Sequence, residues 1–254
     1  MKDVFSFNLI LVLATISANS AFAVQCKKVQ GLKKITTEVF KCPDGSISFD
    51  QLDSSNYEGR CGQTAAVNSV YSYCNKTFFE PSKNLLLFAD MTPGTRPDTM
   101  VAGLNTIMLH SSCETGVWKH YYSSNRWDFF KRLVYATKKV NNKLRPLPVL
   151  IKPSRSQSTL HWVTVVSIEG FDTKLEKKLN KEILKIGFSY QNLLDLLMDP
   201  EFNPMLNKRC KVRYNQYGGS YSDSCESFAN KAGGVNDAWY TSAYGEYNYI
   251  KFVK

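Results

Sequence analysis

Pro148-Val149-Leu150-Ile151 and His161-Trp162-Val163-Thr164-Val165-Val166 are two apolar, largely β-branched runs. Between them lies a polar loop, Lys152 to Leu160, with Pro153 and several serines. Runs of this length bounded by turn-forming residues read as strands, and so short a loop pairs them antiparallel. Upstream the hydrophobic period is different. From Arg126 to Lys143, Phe129, Phe130, Leu133, Ala136 and Val140 recur at helical spacing, with Lys131, Arg132, Lys138 and Lys139 facing out. Cys61 to Cys74 is also helical: Ala65, Ala66, Val70 and Tyr73 line its main apolar face, and Val67 and Tyr71 widen it, so burial on most sides is expected. Asp98 is a candidate cap for a helix carrying Met100, Val101, Leu104, Ile107 and Met108. Helices first and strands later is an α+β order.

The rest of the chain adds less. Ile35 to Phe40 alternates as a strand, and Cys42-Pro43-Asp44-Gly45 is a turn signal. A charged stretch from Asp172 to Lys181 precedes a strand at Ile183 to Phe188 and a short helix at Leu193 to Met198. The tail is rich in Gly, Ser and Tyr and closes on a strand near Tyr247 to Val253. Its tyrosines (Tyr214, Tyr217, Tyr221, Tyr240, Tyr244, Tyr247, Tyr249) read as half-buried strand faces ahead of a peptide or glycan groove.

Residues 1–23 read as a cleaved signal peptide: Lys2, an apolar core from Phe5 to Ile16, and the small-residue site Ser20-Ala21-Phe22-Ala23. Residues 24–254 then form a single domain in a secreted or periplasmic protein, with no integral membrane segment after processing. The net charge of +10 favours anionic surfaces, among them cell-surface polymers. The scattered lysines lack the arginine and aromatic stripe of a nucleic-acid groove.

Export exposes the seven cysteines to an oxidising compartment, and an odd count leaves one over. Cys26/Cys42 and Cys210/Cys225 are near neighbours, and Cys74/Cys113 make a third pair, although six cysteines admit fifteen connectivities. Cys61 is left. Gly59-Arg60-Cys61-Gly62-Gln63-Thr64 sets it where a loop becomes a helix. Unpaired N–H groups there favour a thiolate and can donate to an oxyanion. The flanking glycines allow close backbone approach to a substrate. Of the three histidines, His161 opens a strand beside a polar loop and can face a cleft, whereas His110 ends a helix and His120 sits in an aromatic loop. His110, Cys113 and His120 match no usual zinc spacing, so no metal or other cofactor is expected.

Cys61-Gly62-Gln63-Thr64-Ala65-Ala66, followed by Pro148-Val149-Leu150-Ile151 and His161-Trp162-Val163, resembles the papain-like cysteine peptidases. The similarity is greatest to the bacteriocin-processing (double-glycine) branch and its stand-alone relatives. Thr95-Arg96-Pro97-Asp98-Thr99-Met100-Val101-Ala102-Gly103-Leu104 looks like that branch's second helix, and the resemblance spans roughly residues 48 to 192. It implies a papain-like fold, with N-terminal helices packed on an antiparallel sheet, and cysteine peptidase activity on a peptide or protein. It implies Cys61 as nucleophile, His161 as base, and an oxyanion-hole Gln at Gln51, with Asn56 as the alternative. The residue that orients the imidazole departs from the family pattern. Asn192 is the first choice, Gln191 the second, and Asp195 and Asp199 remain open. Transfer to an amine in place of water uses the same dyad. The competing reading is an inactive, disulfide-stabilised exported binding protein of the same fold.

Overall fold

The structure is a computed structural model that describes residues 22–24, 26–28, 39–49, 61–74, 95–109, 113–123, 125–153, 160–172, 174, 178, 181–182, 207–216, 218–233 and 247–254. Ten strands are described: β1 (Phe22–Val24), β2 (Lys27–Lys28), β3 (Val39–Lys41), β4 (Ile47–Phe49), β5 (Val117–Ser123), β6 (Leu147–Ile151), β7 (His161–Glu169), β8 (Lys211–Gln216), β9 (Gly219–Ser224) and β10 (Tyr247–Val253). The helices are α1 (Cys61–Val70), α2 (Pro97–Leu109), α3 (Arg126–Ala136) and α4 (Cys225–Gly233), and a turn of 3-10 helix, Tyr71–Tyr73, continues α1. Seven strands form one antiparallel sheet in the order β1-β9-β8-β7-β6-β10-β5, and β2-β3-β4 form a smaller one. The fold is therefore α+β.

Strand alternation sorts the packing into two layers of helix. Trp162 donates its indole N–H to the Thr95 carbonyl (2.8 Å), and the Thr164 hydroxyl reaches the Ala65 carbonyl (3.2 Å), so these residues face α1 and the start of α2. Phe252 and Trp118, opposite each other across β10 and β5, pack on Tyr73 from the same side. Asn215, opposite Thr164, holds the small sheet there through Ser46 and Ile47. On the other face Tyr249 and Tyr247 meet Phe129 of α3, and Tyr214 meets Phe228 of α4. Lys231 of α4 pairs with the buried Asp223 at 2.6 Å, and the Tyr214 hydroxyl also donates to that carboxylate. The strand tyrosines within the described residues thus follow the strand-face reading.

Several elements fall where the sequence pattern put them. The β6–β7 pair is antiparallel, with Ile151 opposite His161, and the Cys42–Gly45 turn joins β3 to β4 with Gly45 at φ 85°. Others differ. The helix expected to Lys143 stops at Ala136; Thr137 is its cap residue, and its N–H makes the last ladder bond, to the Leu133 carbonyl, which its hydroxyl also reaches. Val140 is then exposed in a tight turn closed on Lys143, with Asn141 and Asn142 at φ 51° and 61°. Asp98 lies in the first turn of α2 instead of capping it, since Pro97 already has the φ of a first helical residue. His120 is in β5, not a loop, and β8, β9 and α4 emerge from the stretch read as a tail rich in Gly, Ser and Tyr. The strand at 183–188, the helix at 193–198 and most of the strand at 35–40 lie outside the described residues.

β1 pairs with β9, and the processing point expected after Ala23 falls inside it. No helix among the described residues is long and apolar enough to cross a membrane. The Asn125 side chain caps α3 by accepting from the Trp127 and Asp128 amides. Asn125→Ala is expected to lower stability by about 1 kcal/mol in chemical denaturation, with an unchanged denaturant slope.

Candidate functional site

Three disulfides form: Cys26–Cys42, Cys74–Cys113 and Cys210–Cys225. Cys61 is the free cysteine. The pairing chosen from sequence proximity is the one observed. With its sulfur bonded to Cys74, Cys113 cannot ligate a metal, and no group of three metal-ligating side chains occurs among the described residues.

Cys61 is the first residue of α1 and is partly buried, and every later residue of that helix is buried. Gly62 explains how the helix start gets so close to its neighbour. A Cβ there would overlap the Thr95 side chain, so glycine is needed for packing against the start of α2. Thr95 in turn receives the Trp162 indole, which ties the first turn of α1, the entrance of α2 and the start of β7 into one unit.

The sulfur meets β7 through the main chain. Cys61 Sγ takes hydrogen bonds from the main chain of Trp162 and Gly62, and its own amide also favours the thiolate. β6 is paired with β7 down to His161, but the β8 ladder starts only at Thr164 opposite Asn215. Among the described residues Trp162 has no β8 partner, and the Cys61 sulfur meets its main chain. His161 is the next residue, 6% exposed, at the open end of the same strand. Its imidazole hydrogen-bonds the side chain of Gln216, the last residue of β8. Extending the Thr164–Asn215 register places Gln216 opposite Val163, diagonal to His161 and on the same face. Alternation thus assigns His161 and Gln216 to the α3 and α4 face, while α1 lies on the other. The sulfur and the imidazole come to one strand end from opposite sides of the sheet.

Burial sets the protonation states. It pushes the Cys61 thiol above its ordinary value, against the three amides that favour the thiolate. It pushes His161 down to about 4, against the Gln216 hydrogen bond that favours the imidazolium. At neutral pH the thiol and the imidazole are therefore both uncharged. His120 is also lowered by burial, partly offset by its 2.9 Å contact with Asn248, and it lies away from Cys61 between β5 and β10.

Gln51 and its alternative Asn56 lie outside the described residues, as do Asn192, Gln191, Asp195, Asp199 and His110. Gln216 was missed from sequence because no local signal marks it. It becomes legible only through the β7–β8 register. Comparison with protein-family models, curated proteins and solved structures finds no match to this chain.

Two measurements follow from the protonation states. Iodoacetamide should modify Cys61 in the unreduced chain, more slowly at pH 7 than in the unfolded chain, with a rate still climbing past the ordinary cysteine value; a plateau at or below that value would contradict the dominance of burial. For stability, the folded-state value of His161 lies below its unfolded value, so the unfolded chain takes up the proton first. Its contribution is present above about pH 6.5 and is lost as the pH falls toward about 4, for a total of roughly 3 kcal/mol. Unfolding curves of wild type and His161→Gln across that window should differ in slope by this proton.

Proposed function

We propose that the chain is an exported cysteine hydrolase of papain-like fold, cleaving a peptide or other amide through an acyl-thioester. The observation that carries this reading is the unbonded Cys61 sulfur at a helix start, hydrogen-bonded to the main chain of the residue next to His161. The three disulfides agree with an oxidising, extracytoplasmic location.

In the proposed reaction the neutral His161 takes the thiol proton as Cys61 Sγ attacks the carbonyl carbon. The oxyanion is stabilised by the Cys61 N–H and by Gln51, and His161 returns the proton to the departing amine. Water, activated by the same imidazole, releases the acid and restores the thiol. His161 opens β7 ahead of the β8 ladder, which starts at Thr164 opposite Asn215. Gln216, an uncharged amide, is the residue we propose to orient the ring. It fixes a tautomer without adding the negative charge that would raise the imidazole's affinity for a proton.

A peptide library read by mass spectrometry for new termini tests the reading. Cys61→Ala should abolish turnover while leaving the three disulfides and the unfolding midpoint near wild type. Gln216→Ala should lower kcat by at least about tenfold, short of the ~10⁴ lost when a wrong tautomer is enforced. Gln216→Glu should move the acid limb of the pH profile upward. Turnover that survives Cys61→Ala would remove the nucleophile and leave the binding-protein reading.

A further inference from the structure

The three disulfides differ in access. Cys26–Cys42 and Cys210–Cys225 are sealed at both ends, with exposures of 5% or less. Cys74 and Cys113 are both partly exposed, and both line a cavity of about 710 Å³ beside the 3-10 turn. Its volume falls within the range of small-molecule sites. Thiol–disulfide exchange needs access to a sulfur, so the folded chain offers this bond ahead of the other two.

The bond also sits where it bears on Cys61. Helices α1 and α2 run side by side in the same direction. They start together where Gly62 meets Thr95, and they finish together where Cys74 Sγ lies 4.0 Å from Met108 Sδ in the last turn of α2. The starting end is held by that packing and by the Trp162 indole on the Thr95 carbonyl. The finishing end is held by the disulfide, whose cysteines are 39 residues apart with the whole of α2 between them. As a rigid element about 20 Å long, α2 carries a shift at Met108 to Thr95, and so to the first turn of α1.

A second set of contacts spans the same junction. The Glu114 N–H donates to the Tyr73 carbonyl at 2.8 Å, the Glu114 carboxylate pairs with Arg145 at 2.9 Å, and the Arg145 guanidinium lies 4.7 Å from the Tyr73 ring centre. These contacts keep the two segments adjacent when the sulfur–sulfur bond is broken, so the thiols stay within reach of each other and the bond can re-form.

We propose that Cys74–Cys113 is a reversible redox switch acting on the enclosure of Cys61. A dithiol reductant attacks one sulfur as a thiolate, forming a mixed disulfide and releasing the other sulfur as a thiolate. Its second thiol then displaces the mixed disulfide. The reductant leaves as a disulfide, and its two protons end on Cys74 and Cys113. With the bond open, the two helices are covalently untied at their finishing end, and the first turn of α1 loosens. The switch acts on the exposure of the Cys61 sulfur, so it stands whether or not that sulfur attacks amides.

Graded dithiothreitol on the folded chain, followed by alkylation and peptide mapping, tests the first half. Cys74 and Cys113 should be labelled together at a reductant concentration about tenfold below that which labels any other paired cysteine, and removing the reductant in air should restore the bond. The second half is read at Cys61. Its iodoacetamide rate should rise at least about threefold in the selectively reduced chain, and by the same factor in Cys74→Ser/Cys113→Ser. If that double variant does not fold, the selectively reduced wild type carries the test. Another disulfide opening first, all three opening together, a bond that does not re-form, or a Cys61 rate indifferent to the open bond would overturn the proposal. None of these readouts needs turnover, so they fail or succeed separately from the hydrolase reading.

Discussion

Helix α1 is sealed between the large sheet, the entrance of α2 and the small sheet, and the site's geometry depends on how tightly its first turn is held. A side chain at Gly62 would drive the helix away from Thr95, which in turn anchors the Trp162 indole at the start of β7. Further along, the Thr164 hydroxyl grips the Ala65 carbonyl, so the helix is held to one strand at two points. With both ends of that contact fixed, the Cys61 sulfur has little choice of position. It lies against the Trp162 main chain, ahead of the β8 ladder.

The same enclosure governs the electrostatics. A helix N-terminus and three amide donors would ordinarily draw a thiol toward its anion, yet burial outweighs them. Burial also keeps the His161 imidazole neutral near pH 7. Both groups are held uncharged, the sulfur among main-chain amides and the ring against the Gln216 side chain. Elsewhere the disulfides join separate elements. Cys26–Cys42 closes the small sheet, and Cys74–Cys113 joins the end of the 3-10 turn to the approach of β5.

How much was legible follows from how local each signal is. The helical stripe of α3, the paired runs of β6 and β7, and the apolar faces of α1 and α2 are written at spacings of 3.6 or 2 residues within single segments. Asn141 and Asn142 were absorbed into a helix because their charged and apolar neighbours kept the period, although both turn left-handed. β5 and β9 were missed for a related reason. His120 and Asp223 interrupt the alternation that marks a strand in β5 and β9, and each finds its partner, Asn248 or Lys231, on another element.

By itself the sequence determined the α+β class, the odd thiol and the candidacy of Cys61 and His161, and it offered the disulfide pairs as one choice among fifteen. These rest on residue type, count and short-range period. Tertiary structure alone decided that Gln216 reaches His161, that Gly62 serves packing against Thr95, and that burial leaves thiol and imidazole uncharged. Each depends on which strands lie side by side and how much water they exclude, and distant segments must be brought together before either is defined.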